Sequence, residues 1–375
     1  MGPIGMGPIG MGAVRAPAGG TALVARLDNA GDVLLAGPAV RAVAAHADEV
    51  VLLAGPQGRA AAELLPGVDR VLEWRAPWID PEPNAVTSEH VAVLTAAVRA
   101  EAPAAALLLT SFHQSALPLA LLLRLAGVGW IGAISEDYPG SLLDLRHRVE
   151  GDPPEAERAL SLARAAGYRL PAGDGGRLAV RRPLADVSAL TGAPGYVVLH
   201  PGASVPARAW PAERCAQAVG ALAAAGNRVL VTGAPGEREL TARVAGAEGV
   251  DLGGATDLRS LAAVLGGARA VVVGNTGPAH LAAAVGTPVV SLFSPVVPAA
   301  RWAPYGVPVA LLGDQDAPCR GTRARHCPVP GHPCLAGVTA ADVVDAVDAL
   351  TGNGEHAHAR PVPSGADRQR QEVTR

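Results

Sequence analysis

Twice along the chain, short and almost wholly apolar runs alternate with alanine-rich segments whose hydrophobic residues recur at helical spacing. In the first half this predicts strands over Ala22–Leu27, Val50–Leu53, Arg70–Trp74, Ala105–Leu109 and Trp130–Ile134. Helices are expected between them, over Val33–Ala45, Arg59–Leu65, Glu89–Ala100 and Leu117–Leu125. In the second half the strands fall at Val197–His200, Arg228–Thr232, near Val250, Ala270–Val273 and Pro288–Phe293. The matching helices are Ala212–Ala224, Arg238–Val244, Leu258–Leu265, Pro278–Ala284 and a last one over Ala341–Leu350. Strands that lack polar alternation suit a parallel sheet covered on both faces. The expectation is therefore α/β, with two doubly wound Rossmann-like domains facing a cleft.

The rhythm fails over 136–194, where only Pro154–Ala166 reads as helical, so this stretch is expected to connect the domains. An N-terminal domain over 21–135 and a C-terminal domain over 195–352 follow. The opening repeats Met1–Gly5 as Met6–Gly10, and glycine and proline at that density build neither helix nor core. A disordered leader over 1–20 and a disordered, polar tail over 353–375 are expected.

Several function classes are excluded early. All 31 basic residues are arginine, which removes the lysine of a Walker-A loop, a Schiff base or a kinase in one stroke. Any phosphate must then be held by arginine, backbone amides or a metal. The net charge of -3 argues against a nucleic-acid partner. No apolar run approaches the roughly 18 to 20 residues that a membrane span requires. With no secretory signal recognised, the four cysteines are expected reduced in a cytoplasmic protein, with peripheral contact at the inner face of the plasma membrane left open.

In open α/β sheets ligands bind beyond the carboxyl ends of strands, which directs attention to the strand-to-loop junctions. The first runs Arg26-Leu27-Asp28-Asn29-Ala30-Gly31-Asp32. Asp32 stands where the helix starts. It is either a first-turn carboxylate complementing the helix dipole or a general base facing the cleft. Gly31 lets the backbone turn tightly.

The second junction, His200-Pro201-Gly202-Ala203-Ser204 followed by Arg208-Ala209-Trp210-Pro211, reads as a pyrophosphate cradle of amides plus one guanidinium. Trp210 reads as a packing anchor. The third, Gly274-Asn275-Thr276-Gly277-Pro278-Ala279-His280, sends a strand straight into a helix whose first turn offers free amides to an anion. Glu237, in the loop Thr232-Gly233-Ala234-Pro235-Gly236-Glu237, is a candidate for ribose hydroxyls, with Glu239 its rival. Cys319, Cys327 and Cys334, with His326 and His332, lack the paired spacing of a zinc finger, and no metal is assigned to them.

The order of these segments resembles glycosyltransferase family 9, the ADP-heptose lipopolysaccharide heptosyltransferases, from about Thr21 to Leu350. The specific pieces are the first junction through Val33-Leu34-Leu35 and the third through Leu281-Ala282-Ala283-Ala284-Val285-Gly286-Thr287-Pro288. The resemblance implies a GT-B fold, with acceptor bound in the N-terminal domain and a nucleotide-diphosphate sugar in the C-terminal one. Transfer would be inverting, without cofactor or obligatory metal.

It makes Asp32 the catalytic base. Carried over with it, Arg208 meets the diphosphate and Thr276, Gly277 and His280 the phosphate and sugar; the junctions themselves add Gly202, Ser204, Glu237 and Asn275 as candidate donor contacts and Asn29 and Gly31 as candidate acceptor contacts. The expected partners are a nucleotide-sugar donor, ADP-linked heptose by family, and a hydroxyl of a glycan or glycolipid, met by a monomer. One departure stands out: the family commonly carries aspartate where Asn275 stands. The rival readings are a nucleotide-sugar epimerase of similar fold and, prompted by Asn275, a non-catalytic nucleotide-sugar binding protein. A dinucleotide dehydrogenase is disfavoured, because Leu53-Ala54-Gly55 closes the second strand without a ribose-binding acid.

Overall fold

The computed structural model describes residues 15–352. The expected tail, and the expected leader up to residue 14, lie outside the described residues.

The first half contains β1 (Thr21–Arg26), α1 (Ala30–Leu35), α2 (Gly37–Ala44), β2 (Glu49–Ala54), α3 (Arg59–Leu64) and β3 (Arg70–Glu73). It continues with α4 (Ser88–Glu101), β4 (Ala105–Leu108), α5 (Leu117–Leu125), β5 (Trp130–Ile134), β6 (Leu145–His147) and α6 (Glu155–Ala165). After a short α7 (Ser188–Thr191) come β7 (Tyr196–His200), α8 (Ala212–Ala224), β8 (Val229–Gly233), α9 (Arg238–Ala245), β9 (Val250–Gly253) and α10 (Leu258–Gly266). The chain then forms β10 (Ala268–Gly274), α11 (Gly277–Val285), β11 (Val289–Leu292), α12 (Ala299–Trp302), β12 (Val309–Leu312), α13 (Pro333–Ala336) and α14 (Ala340–Thr351).

Each half folds into a six-stranded sheet, in the orders β3-β2-β1-β4-β5-β6 and β12-β11-β10-β7-β8-β9. Every strand pairing in both sheets is parallel. Strand order reverses between β1 and β4 in the first sheet and between β7 and β10 in the second. These are the switch points at which such sheets open a crevice. The central strands are fully buried: Val24, Leu52, Leu107, Val198 and Val272 have no measurable exposure. Burial of each such side chain contributes about 1.5–3 kcal/mol, which is why the sequence affords no polar alternation there.

Three differences from the sequence reading have local causes. The helix expected over Val33–Ala45 begins earlier, at Ala30, and is divided at Ala36 into α1 and α2. Pro38 cannot donate to the Leu34 carbonyl and its ring crowds that carbonyl, so one continuous helix is not available. The stretch 136–194 does more than connect: β6 pairs with β5, and α6 packs against α2 and lends Ala156, Ala159, Leu160 and Leu162 to the core. The other unforeseen strand, β12, forms the far edge of the second sheet against β11. Both are short edge strands, one carrying arginine and histidine and the other flanked by proline and glycine, so neither leaves a clear pattern.

The halves meet along α1 and α11 and along α3 and α10. Arg181 donates its backbone N–H to the Leu64 carbonyl at 2.8 Å, and Arg182 reaches the Val285 carbonyl at 3.0 Å. The segment after α6 is thereby tied to both sheets.

Candidate active site

At the first switch point β1 ends in an arginine that is 2% exposed. A buried guanidinium is tolerated only with its charge and donors met. Arg26 pairs through Nε with Asp28 at 2.8 Å, through Nη2 with Asp32 at 2.9 Å, and through Nη1 with Glu155 at 3.6 Å. Nη2 also donates to Ser111 Oγ at 2.9 Å, just past β4. Burial works against the charge on Arg26, but Asp28, Asp32 and Glu155 together hold its pKa above the ordinary value. Burial pushes the Asp28 carboxyl up, with Arg26 and the Gln114 amide pulling against it.

Asp32 is the third residue of α1, in the first turn, and does not cap that helix through its side chain. The dipole role and the cleft-facing role are therefore compatible: its carboxylate sits at the positive end of α1, anchored on one oxygen by Arg26. Asn29 occupies the N-cap position in extended backbone, exposed, with no side-chain capping bond.

From the second sheet, α11 brings its N-terminus against that of α1. A Cβ built on Gly31 would lie 2.9 Å from His280 Cδ2 and 3.2 Å from Gly277 Cα. Only glycine permits this approach. His280 is buried, its Nδ1 has no hydrogen-bond partner among the described residues, and burial followed by the nearby Arg208 charge lowers its pKa to about 4. It is therefore a neutral imidazole at neutral pH.

Arg208 lies in the loop after β7. Its Nη1 lies 3.5 Å from the Asn275 carbonyl, and its Nε is buried without a partner among the described residues. Burial first, and then the like charges of Arg323 and Arg325, push its pKa below the ordinary value, while Asp32 across the interface opposes them. Arg208 thus stands just before α11 with one buried N–H unpaired among the described residues, within reach of the charges of Arg323 and Arg325. Guanidinium donors beside a helix N-terminus suit an anion.

The structure brings together Gly31, Asp32, Arg208, Gly277 and His280 at this interface. Thr276 stands at the N-cap of α11 in extended backbone without a side-chain cap. Other expected contacts are turned elsewhere. Asn275 is buried, and its amide accepts from the Ser294 N–H at 3.4 Å and donates to the Ser294 carbonyl at 3.3 Å. Its side chain braces β10 against the loop after β11. A carboxylate could not make both bonds, since it has no N–H to give.

Glu237 folds back to accept from the Ala234 N–H at 2.8 Å, and a Cβ on Gly202 would meet its Oε1 at 2.2 Å. The Glu237 carboxylate thus lies over Gly202 in the β7 loop. Ser204 is exposed on the rim, as is Glu239. Trp210 is the packing anchor expected, buried with its indole N–H on the Leu335 carbonyl at 3.2 Å.

Sequence reasoning passed over Arg26, Ser111, Gln114, Glu155, Arg323 and Arg325. Only Arg26 left a signal, as an arginine closing an otherwise apolar strand. Cys319 and Cys334 are buried free thiols, and burial pushes Cys334 up to about 11. Among the described residues no group of three or more His, Cys, Asp or Glu side chains is disposed to hold a metal ion. No described helix is long and apolar enough to cross a membrane.

Two parallel six-stranded sheets whose switch-point loops confront each other define a two-domain α/β protein of GT-B architecture. The family model described as glycosyltransferase family 9 (heptosyltransferase) matches residues 91–332, well over half of the sequence. The chain belongs to that family.

Among curated relatives, lipopolysaccharide heptosyltransferase 1 of Pseudomonas aeruginosa is 36% identical over 167 residues, covering 44% of this chain and 46% of that protein. The chain thus spans roughly half the length of the curated relatives it matches. Among solved structures, the ADP-heptose LPS heptosyltransferase II of E. coli superposes with a TM-score of 0.68 at 19% identity, covering 89% of this chain and 99% of that one. The E. coli heptosyltransferase WaaC with ADP-2-deoxy-2-fluoro heptose gives 0.63 at 22% identity, covering 88% and 99%. At these identities the likeness speaks for the fold.

Proposed function

We propose that the protein is an inverting glycosyltransferase that moves a sugar, by family an ADP-linked heptose, onto a hydroxyl of a glycan or glycolipid. The observation that carries this reading is the state of Arg208: half-buried, repelled by Arg323 and Arg325, its buried Nε–H unpaired among the described residues, beside the start of α11 and opposite Asp32. A diphosphate is the ligand such a group is built to receive.

In the proposed step the free oxygen of Asp32 takes the proton of the acceptor hydroxyl. The hydroxyl oxygen so deprotonated forms its bond to the anomeric carbon as the bond from that carbon to the diphosphate oxygen breaks. The departing electron pair settles on the diphosphate, where Arg208, the amides of Thr276 and Gly277, and the neutral His280 receive it. Asn29 and Gly31 lie beside the entering acceptor, and the 21–135 region with β6 and α6 carries the acceptor half. Exposed Val93, Leu121, Leu125 and Tyr138, all on that half, support peripheral contact with a membrane that presents the acceptor. The reading is of a cytoplasmic monomer.

The test is donor binding. Arg208→Glu should weaken ADP binding by calorimetry about a hundredfold or more, since a partly desolvated charge contact is removed and its sign reversed. Unchanged ADP affinity in the folded variant would remove Arg208 from the site. Product analysis with an ADP-sugar alone separates the rivals: an epimerised donor without acceptor speaks for an epimerase, and binding without any turnover for a binding protein.

A further inference from the structure

Asp32 is one member of a closed ring of polar contacts. Ser111 and Gln114, in the turn after β4, are joined twice: the Gln114 backbone N–H donates to the Ser111 carbonyl at 2.9 Å, and the Ser111 N–H donates to Gln114 Oε1 at 3.1 Å. The Gln114 side chain is left with its NH2, and that group donates to Asp28 Oδ1. Asp28 pairs with Arg26 Nε at 2.8 Å, and Arg26 Nη2 donates to Asp32 at 2.9 Å and back to Ser111 Oγ at 2.9 Å. The second half holds the same turn from outside. Its Arg301 guanidinium lies 4.1 Å over the Phe112 ring, and its Arg323 Nη2 is 2.8 Å from His113 Nε2.

Within this ring Asp28 is the member whose charge is hardest to keep. Burial pushes its carboxyl up and the neighbouring Asp32 adds to that, while Arg26, and then Gln114 and His113, pull it down. Arg323 faces it from the second half, and Glu155 of α6 stands against Nη1 of Arg26. Arg26 Nε and Asp28 Oδ2 form an ion pair without hydrogen-bond geometry, so among the described residues Gln114 is the one hydrogen-bond donor to this carboxylate. A neutral Asp28 would release one edge of the guanidinium and leave Arg26 to Asp32 and Glu155 alone.

We propose that Gln114 is a positioning residue for the base: its hydrogen bond to Asp28 holds one edge of the Arg26 guanidinium, and thereby the plane in which Nη2 meets Asp32. This rests on the transferase reading above and adds a residue to its machinery. In this role Gln114 touches neither sugar nor phosphate and acts through Asp28 and Arg26. Hydrogen bonds to ionised groups are the stronger ones, and in a buried network the loss of one is felt by its neighbours.

The experiment follows ADP release from ADP-heptose, with water taking the place of the acceptor, from about pH 5 to 9. Gln114→Glu keeps the shape and the bond from the Ser111 N–H but sets a carboxylate against Asp28 in place of a donor. Gln114→Leu removes the bond. Near neutral pH kcat is expected to fall about tenfold in Gln114→Leu and further in Gln114→Glu, with KM for the donor within about twofold of the parent. Losing a donor to its charged form lets Asp28 take up a proton at higher pH, so the acid limb of kcat should move up by about one pH unit or more and the losses should narrow as pH rises. Carbon-13 NMR of the Asp28 carboxyl should show its titration moved the same way. A kcat for Gln114→Glu within twofold of the parent at every pH, losses that are the same at every pH, or an unmoved Asp28 titration would each overturn the inference. Asp32→Asn, run in parallel, keeps the two readings apart. ADP release that depends on Asp32 but is indifferent to Gln114 leaves the transferase reading intact, whereas no Asp32-dependent release brings down both.

Discussion

Asp32 accepts a 2.9 Å hydrogen bond from Nη2 of Arg26, a guanidinium that is itself almost wholly buried. The bond fixes one oxygen of the carboxylate. The other makes no hydrogen bond among the described residues, and Asp32 retains 19% side-chain exposure at the interface with α11.

If Asp32 is the base, Asp32→Asn keeps the shape and the bond from Arg26 but removes proton acceptance. Turnover is expected to fall about a hundred- to ten-thousandfold with ADP affinity within a few-fold of the parent. Steady-state kinetics beside calorimetry checks this. Turnover within a few-fold of the parent would eliminate the base role.

Arg26→Met should be the more damaging change to the fold. It leaves Asp28, Asp32 and Glu155 close together without their common counter-charge, and breaking a buried ion pair from one side costs about 3–5 kcal/mol. Without Arg26 the Asp28 carboxyl, already pushed up by burial, loses the charge that pulls it down and titrates still higher in the folded state than in the unfolded one. The penalty must therefore shrink as pH falls from 8 to 5. Urea unfolding at the two pH values reads it directly, and a pH-independent penalty would show that the loss is packing alone.

Gly31→Val tests whether the observed contact between the two helix starts matters for catalysis. The added carbon meets His280 Cδ2 and the Gly277 backbone, and backbone cannot step aside cheaply. The lobes should be held apart by about an ångström, with turnover down about a hundredfold. ADP affinity should stay within a few-fold, because the proposed donor contacts lie on the second half. A parallel loss of ADP binding would show that the valine disturbs α11 itself.

His280 supplies a pH dependence whose sign is fixed by burial. Its folded pKa of about 4 lies below the unfolded value near 6.5, so between them the unfolded chain binds the extra proton. Stability is fully present above about pH 6.5 and is lost as pH falls toward 4, by about 2 kcal/mol at pH 5 from this residue. His113 and His200 are depressed in the same sense, chiefly by burial, and add to the loss. Compared at pH 7.5 and 5, His280→Gln should lose about 2 kcal/mol less than the parent protein. Equal losses would place the sensitivity in the other histidines.

The repeated α/β rhythm was legible because hydrophobic periodicity is a local property. A strand buried on both faces must be apolar throughout, and the runs ending at Arg26, His200 and Gly274 announce themselves. The junctions following them were legible for the same reason: a strand passing directly into a helix has to expose polar backbone there. The edge strands Leu145–His147 and Val309–Leu312 were not, since an edge strand gains half the burial and tolerates charge or proline nearby.

By itself, then, the amino-acid order determined two parallel sheets, the polar junctions at the ends of β1, β7, β8 and β10, and the family to which the chain belongs. Tertiary structure alone decided which polar groups meet. It brought Glu155 of a distant helix onto Arg26 beside Asp28 and Asp32 of its own junction, turned the Asn275 amide onto Ser294 and not into the cleft, and left Arg208 with an unused N–H opposite Asp32. Hydrophobic burial acts residue by residue and leaves its trace in the sequence, whereas a charge finds its partner only where the folded topology brings distant segments within a few ångströms.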